Sequence, residues 1–109
     1  MTVRLYLWQR LTAALMAPLI IGHLIVIFYA TSRGLSAADI LGRTRGSMPW
    51  ALYYGAFVVL AAIHAAIGVR AIAGEWTSLR DRGLDALMWS LGLVLLLLGL
   101  RAVAAVVLS

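Results

Sequence analysis

The chain has 109 residues, 64% of them hydrophobic, with a formal net charge of +5 and no cysteine. Soluble domains run nearer about 45–50% apolar, so composition alone reads as a membrane protein. Without cysteine the chain offers no disulfide, no thiolate zinc site and no ligand to an iron–sulfur cluster. All nine basic residues are arginine, scattered over termini and loops with no basic run. That pattern suits lipid headgroups and cofactor anions, and gives no nucleic-acid partner.

A helix needs about 20 apolar residues to cross a hydrocarbon core of about 30 Å. Residues 11–31 form the first such run, LTAALMAPLIIGHLIVIFYAT. Arg4 and Arg10 precede it as in a signal peptide. The run is too long for one, contains His and Pro, and no A-x-A pattern follows closely, so a retained span is expected. Pro18 is expected to kink it, which lipid-embedded helices tolerate. In the first loop, Ser36 followed by Asp39 resembles a capping box and predicts a short helix at the interface. Pro49-Trp50 opens a second span over residues 49–73. The second loop, GEWTSLRDRG, is short and polar. A third span over residues 84–108 is interrupted by Arg101, whose long side chain can snorkel to the headgroups. The expected fold is an all-α membrane protein, a single transmembrane domain of three helices plus the interfacial one. Aromatic residues such as Trp8, Tyr29, Trp50 and Trp76 lie near span ends, as interfacial belts do. Arg4, Arg10, Arg70, Arg80 and Arg82 lie on the side of the N-terminus; Arg33, Arg43, Arg45 and Arg101 lie on the other. By the positive-inside rule this leans toward a cytoplasmic N-terminus, in a bacterial inner membrane.

His23 and His64 fall well inside the first two spans, and neither span holds an acidic residue to pair with them. Burying an ionisable group in lipid costs several kcal/mol unless it is paired or used. One reading is structural, each imidazole bonding a backbone carbonyl or a Ser/Thr of a neighbouring helix. The other is axial ligation of haem iron, since haem fits between helices. Phe57, Leu60, Gly68 and Ala71 share the face of His64, and small residues there admit either a macrocycle or another helix. Arg10 and Arg70 are candidates for the haem propionates, with headgroup anchoring as the alternative. If Arg10 and Gly74 are level, the histidines differ in height by about 4–5 Å at about 1.5 Å per residue. Adjacent helix axes about 8–10 Å apart are also tight for one sandwiched porphyrin. Two haems, each completed by another subunit, fit better.

LWQRLTAALMAPL resembles the opening of the membrane-anchor subunits of succinate dehydrogenase and fumarate reductase. His64-x-x-x-Gly68-x-Arg70, followed by Glu75-Trp76, is similar to their second-span signature. The resemblance covers residues 5–76 and the three-span layout. It implies an anchor for a flavoprotein subunit and an iron–sulfur subunit, which carry FAD and the clusters. It also implies a second membrane-anchor subunit, haem b, and delivery of electrons to quinone within the tricarboxylic acid cycle. By position, His64 is the axial haem ligand and Arg10 lies by a propionate or the quinone. Trp76 contacts the quinone carbonyl. The family's aromatic at that point is often tyrosine; tryptophan donates a hydrogen bond but cannot release a proton as a phenol does, so Glu75 becomes the candidate proton carrier. His23, in the first span, points to a member holding two haems.

Other classes stay open at this level. A small multidrug-type transporter has similar length, but has four spans and an acidic residue in the first. A haem-free structural anchor, and the cytochrome b anchor of another respiratory dehydrogenase such as a hydrogenase or formate dehydrogenase, share the layout. The chain by itself is expected to be non-catalytic.

Overall fold

A computed structural model describes residues 2–108, and over these the chain is all-helical. Four helices follow in order: α1 (Val3–Ser32), α2 (Ala37–Thr44), α3 (Met48–Trp76) and α4 (Asp81–Val107). The three long ones are long and apolar enough to cross a membrane. The longest dimension, 48 Å, matches a bilayer of about 40–45 Å including its headgroups.

The first helix begins well before the residue-11 boundary that hydropathy suggests. Thr2 caps it, its hydroxyl accepting from the Leu5 N–H at 3.2 Å. Hydropathy locates the hydrocarbon edge, whereas a helix continues as long as its caps and backbone bonds allow. The segment carrying Tyr6, Trp8 and Arg10 is the interfacial turn of the same helix. α1 also runs unbroken through Pro18, whose missing N–H leaves the Ala14 carbonyl without its usual partner.

α3 is the middle helix and packs on both α4 and α1. Against α4 the contact is built from small residues: a Cβ on Gly92 would lie 3.3 Å from Ala66, and one on Gly99 would overlap Val58. Small residues let backbones approach where no hydrophobic drive separates protein from lipid. Against α1 the contact is narrower. Leu5, Gln9, Thr12, Met16, Leu19, His23 and Val26 turn inward at spacings of three and four, and most other α1 residues face outward. Gly22 receives the Tyr53 hydroxyl, which donates to the Leu19 carbonyl. These contacts fix an antiparallel register in which Gln9 faces Gly68, Thr12 faces His64, and His23 faces Tyr54.

The capping box forms as the sequence predicts. The Asp39 N–H donates to Ser36 Oγ at 3.2 Å, and the Ser36 N–H donates to Asp39 Oδ2 at 2.9 Å. Gly34 (φ +64°) and Gly46 (φ +68°) supply the left-handed turns on either side of α2. At its end, Thr44 Oγ1 donates to the Val106 carbonyl at 2.7 Å and the Gly46 N–H to Val107 at 2.6 Å. The short helix is thereby fastened to the terminus of α4, satisfying two of the carbonyls that every helix end leaves free.

Candidate functional site

His64 is half-buried at the α1–α3 contact, facing Thr12, the one side chain with no exposed surface among the described residues. Thr12 Oγ1 lies 3.1 Å from His64 Nδ1. It also lies 2.8 Å from the Trp8 carbonyl and 3.0 Å from the Gln9 carbonyl, to which it donates. The structural reading of this histidine foresees such a bond. The bond uses only one ring nitrogen, however: Nε2 makes no hydrogen bond and is not enclosed by this chain. Gly68, one turn on, would place a Cβ 3.3 Å from the Gln9 amide nitrogen. Its openness therefore serves the packing of α1, as Ala66 serves that of α4.

His23 has different surroundings. Tyr54 and Phe57 meet its ring edge-on at 5.6 and 5.7 Å. Its Nδ1 is buried without a hydrogen-bond partner, a state that costs about 1–3 kcal/mol unless something else satisfies it. The ring borders a cavity of about 350 Å³, lined also by Ile40, Thr44, Val58, Gly99 and Val103. The His23 ring thus sets an unpartnered polar atom at the border of an apolar cavity.

The two histidines stand far apart in height. Counting eleven residues along α1 from Thr12 to His23, or seven to ten along α3 from His64 to Phe57 and Tyr54, gives about 10–16 Å. The expected offset of about 4–5 Å came from levelling Arg10 with Gly74. The actual register sets Gly74 beyond the start of α1, because α3 overshoots Arg10 by about two turns. Metal–imidazole bonds are about 2 Å long, so one iron holds its axial nitrogens about 4 Å apart. These two cannot meet there. Among the described residues no group of three or more His, Asp or Glu forms a metal site, so each imidazole is a single ligand from this chain.

The remaining candidates lie toward the N-terminal end of the bundle. Arg10 is exposed, its guanidinium 3.3 Å from the Tyr6 hydroxyl and lying over that ring at 5.6 Å. Arg70 Nε donates to Asp85 Oδ1 at 3.0 Å, the only ion pair among the described residues. Asp85 escapes a sequence reading because it sits inside the run taken as the third span. The signal that finds it is its place opposite Arg70 across a short loop. Glu75 makes no ion pair among the described residues, Arg80 and Arg82 included, and Trp76 is 82% exposed. Arg10 lies within a turn of the His64 level, whereas Glu75 and Trp76 lie about 17 Å beyond it along α3. Arg10 and the Glu75–Trp76 pair share one end of the bundle without sharing a level.

No curated protein and no solved structure matches the chain. The family model for the succinate dehydrogenase/fumarate reductase transmembrane subunit matches residues 1–105. Those residues hold the three apolar spans, the capped interfacial helix and the half-buried histidine held by Thr12, and the chain belongs to that family.

Proposed function

We propose that this chain is the haem b-binding anchor of a succinate–quinone oxidoreductase in a bacterial inner membrane, with its N-terminus in the cytoplasm. It docks a flavoprotein and an iron–sulfur subunit and works beside a second anchor. Family membership removes the transporter alternative. The observation that carries the haem reading is the His64 ring in the middle of a span: Nδ1 is bound to Thr12, and Nε2 has no hydrogen-bond partner among the described residues. An imidazole serving packing alone has no need to leave a ring nitrogen unpartnered in a membrane span.

Haem b, when bound, supplies a one-electron relay between the partner's clusters and quinone. The work of this chain's residues is to hold and orient. His64 would hold the haem iron through Nε2, and the partner anchor would complete the site. His23 offers a second, distal site against its cavity, and the height difference of about 10–16 Å supports two separate haems. Arg10 and Arg70, as forked cations near one end of the bundle, suit propionate carboxylates. At the same end Arg10 and the Trp76 indole can donate to a quinone carbonyl, and Glu75 can carry a proton. Helical side chains lean toward their own N-termini, so Arg10 leans outward and Trp76 inward, which narrows the gap between them.

The test is a dithionite-reduced-minus-oxidised spectrum of the purified complex, with haem quantified per flavin. His64→Ala is expected to lose haem b. His23→Ala is expected to remove one spectral component and leave the component that depends on His64. A fully haem-loaded His64→Ala complex overturns the assignment, and loss of both components together in His23→Ala overturns the two-haem reading.

A further inference from the structure

Thr12 has one hydroxyl proton and three neighbours. Two of these, the Trp8 and Gln9 carbonyls at 2.8 and 3.0 Å, can only accept. The third, His64 Nδ1 at 3.1 Å, donates or accepts according to its tautomer. If the hydroxyl donated to His64, its own lone pairs would face a carbonyl oxygen at 2.8 Å with no proton between them, in a site with no exposed surface. Where nothing screens them, two acceptors at that distance repel. The arrangement that satisfies every group sends the hydroxyl proton to the α1 carbonyls and places a proton on His64 Nδ1, donated to Thr12.

We propose that Thr12 is a positioning residue that fixes His64 in the Nδ1–H tautomer, so that Nε2 carries the lone pair offered to haem iron. This rests on reading His64 as a haem ligand. A ligand imidazole commonly donates its other N–H to an outer group, which sets ring orientation and strengthens the donor nitrogen. Here the acceptor is a hydroxyl already polarised by two backbone carbonyls. It sits on a different helix from the ligand, so the α1–α3 contact itself sets the angle of the ring. The carbonyl bonds also hold the Thr12 rotamer, which a β-branched side chain on a helix keeps firmly. Among the described residues nothing else bonds His64, so the ring's protonation pattern is decided at this one contact.

The experiment compares Thr12→Val, Thr12→Ser and His64→Ala in the whole complex, reading two quantities besides turnover. One is haem retention against apomyoglobin as a haem sink; the other is the haem midpoint potential by redox titration. Thr12→Val is expected to weaken retention by about 10–100-fold and to raise the potential, since a less basic imidazole stabilises the ferric state less. Thr12→Ser is expected to restore both, because it keeps the hydroxyl. A purely packing role would weaken retention in the valine variant without moving the potential, and that result overturns the proposal, as does an unchanged valine variant. If the valine variant does not assemble, Thr12→Ala is read by the same criteria. His64→Ala separates the two levels: if it keeps its haem, the ligand reading fails. If it loses its haem while Thr12→Val keeps the parent potential, only the Thr12 proposal fails.

Discussion

Arg70 and Asp85 join α3 to α4 around the second loop, Nε to Oδ1 at 3.0 Å, with the arginine side chain 13% exposed and the carboxylate 54%. The exposed acid limits the strength of the pair, since solvent screens a half-open ion pair to about 1 kcal/mol or less. Its importance is in where it holds the guanidinium. With Nε committed to α4, the two terminal nitrogens of Arg70 remain for another anion at the same end of the bundle.

Asp85→Asn is therefore expected to lower stability by no more than about 1 kcal/mol, read from thermal denaturation in detergent, and to leave haem content at the parent level. Arg70→Gln removes the same pair and, in addition, the proposed propionate partner. It is expected to weaken haem retention where Asp85→Asn does not. Identical haem behaviour in the two variants would reduce Arg70 to its ion pair.

The glycines of α3 and α4 make a second contrast. A Cβ on Gly99 would overlap Val58, a side chain stiff about χ1, whereas one on Gly55 meets nothing within 4 Å. Gly99→Ala is expected to cost about 1–3 kcal/mol through overpacking at the α3–α4 contact. Gly55→Ala is expected to be neutral or to stabilise by up to about 1 kcal/mol, since glycine weakens a helix interior. Denaturation of the two variants side by side checks the pair, and equal effects would mean that the α3–α4 approach is looser than described.

Three spans, the Ser36–Asp39 cap and the mid-membrane histidines are legible in sequence because each is a local signal: hydropathy over a window, a four-residue box, a polar residue in an apolar run. The register between helices is not local. Nothing in the composition of α1 or α3 says that Thr12 faces His64 or that Gly74 lies beyond the start of α1, against Leu84 of α4; that follows from how Gly68, Gly22 and Tyr53 let the helices seat. This is why the sequence underestimates the height of His23 over His64, and why Thr12 reads there only as part of the opening motif and not as the partner of His64. Asp85 was missed for a related reason: an acid near a span boundary carries no meaning until its opposite number is known.

The first turn of α2 carries a pH dependence. The Ser36 backbone N–H, and then the Ser36 hydroxyl, hold the Asp39 carboxyl below its ordinary value of 3.8. A carboxylate depressed in the folded state stabilises it above the unfolded value, and that contribution is lost as pH falls through the folded value. Protection of the α2 amides, their exchange taken relative to the unstructured rate at each pH, is thus expected to hold from neutral pH down to about that ordinary value and to fall below it. Asp39→Asn should abolish the dependence. Protection that falls already near neutral pH would place its cause in another group.

The proposed quinone site gives the sharpest separation between an anchor and an electron carrier. Trp76 ends α3, with 82% of its surface open, and Glu75 beside it makes no ion pair. A belt tryptophan would occupy the same place, and its role there would be to seat the helix at the interface. The two roles differ in what a mutation removes. Trp76→Leu keeps an apolar group for the interface but deletes the indole N–H, the donor available to a quinone carbonyl. Removing one hydrogen bond of this kind corresponds to about 0.5–1.5 kcal/mol, or roughly 2–10-fold in apparent quinone affinity. The variant is expected to raise KM for quinone while succinate oxidation with a soluble acceptor, which bypasses the membrane site, continues at the parent rate. Trp76→Phe is expected to behave like the leucine variant, since it too lacks the donor. Glu75→Gln should instead lower kcat with little change in KM, because it removes a proton carrier and keeps a polar side chain. Parent quinone kinetics in all three variants would assign Trp76 to the interface and move the quinone site to the partner subunits.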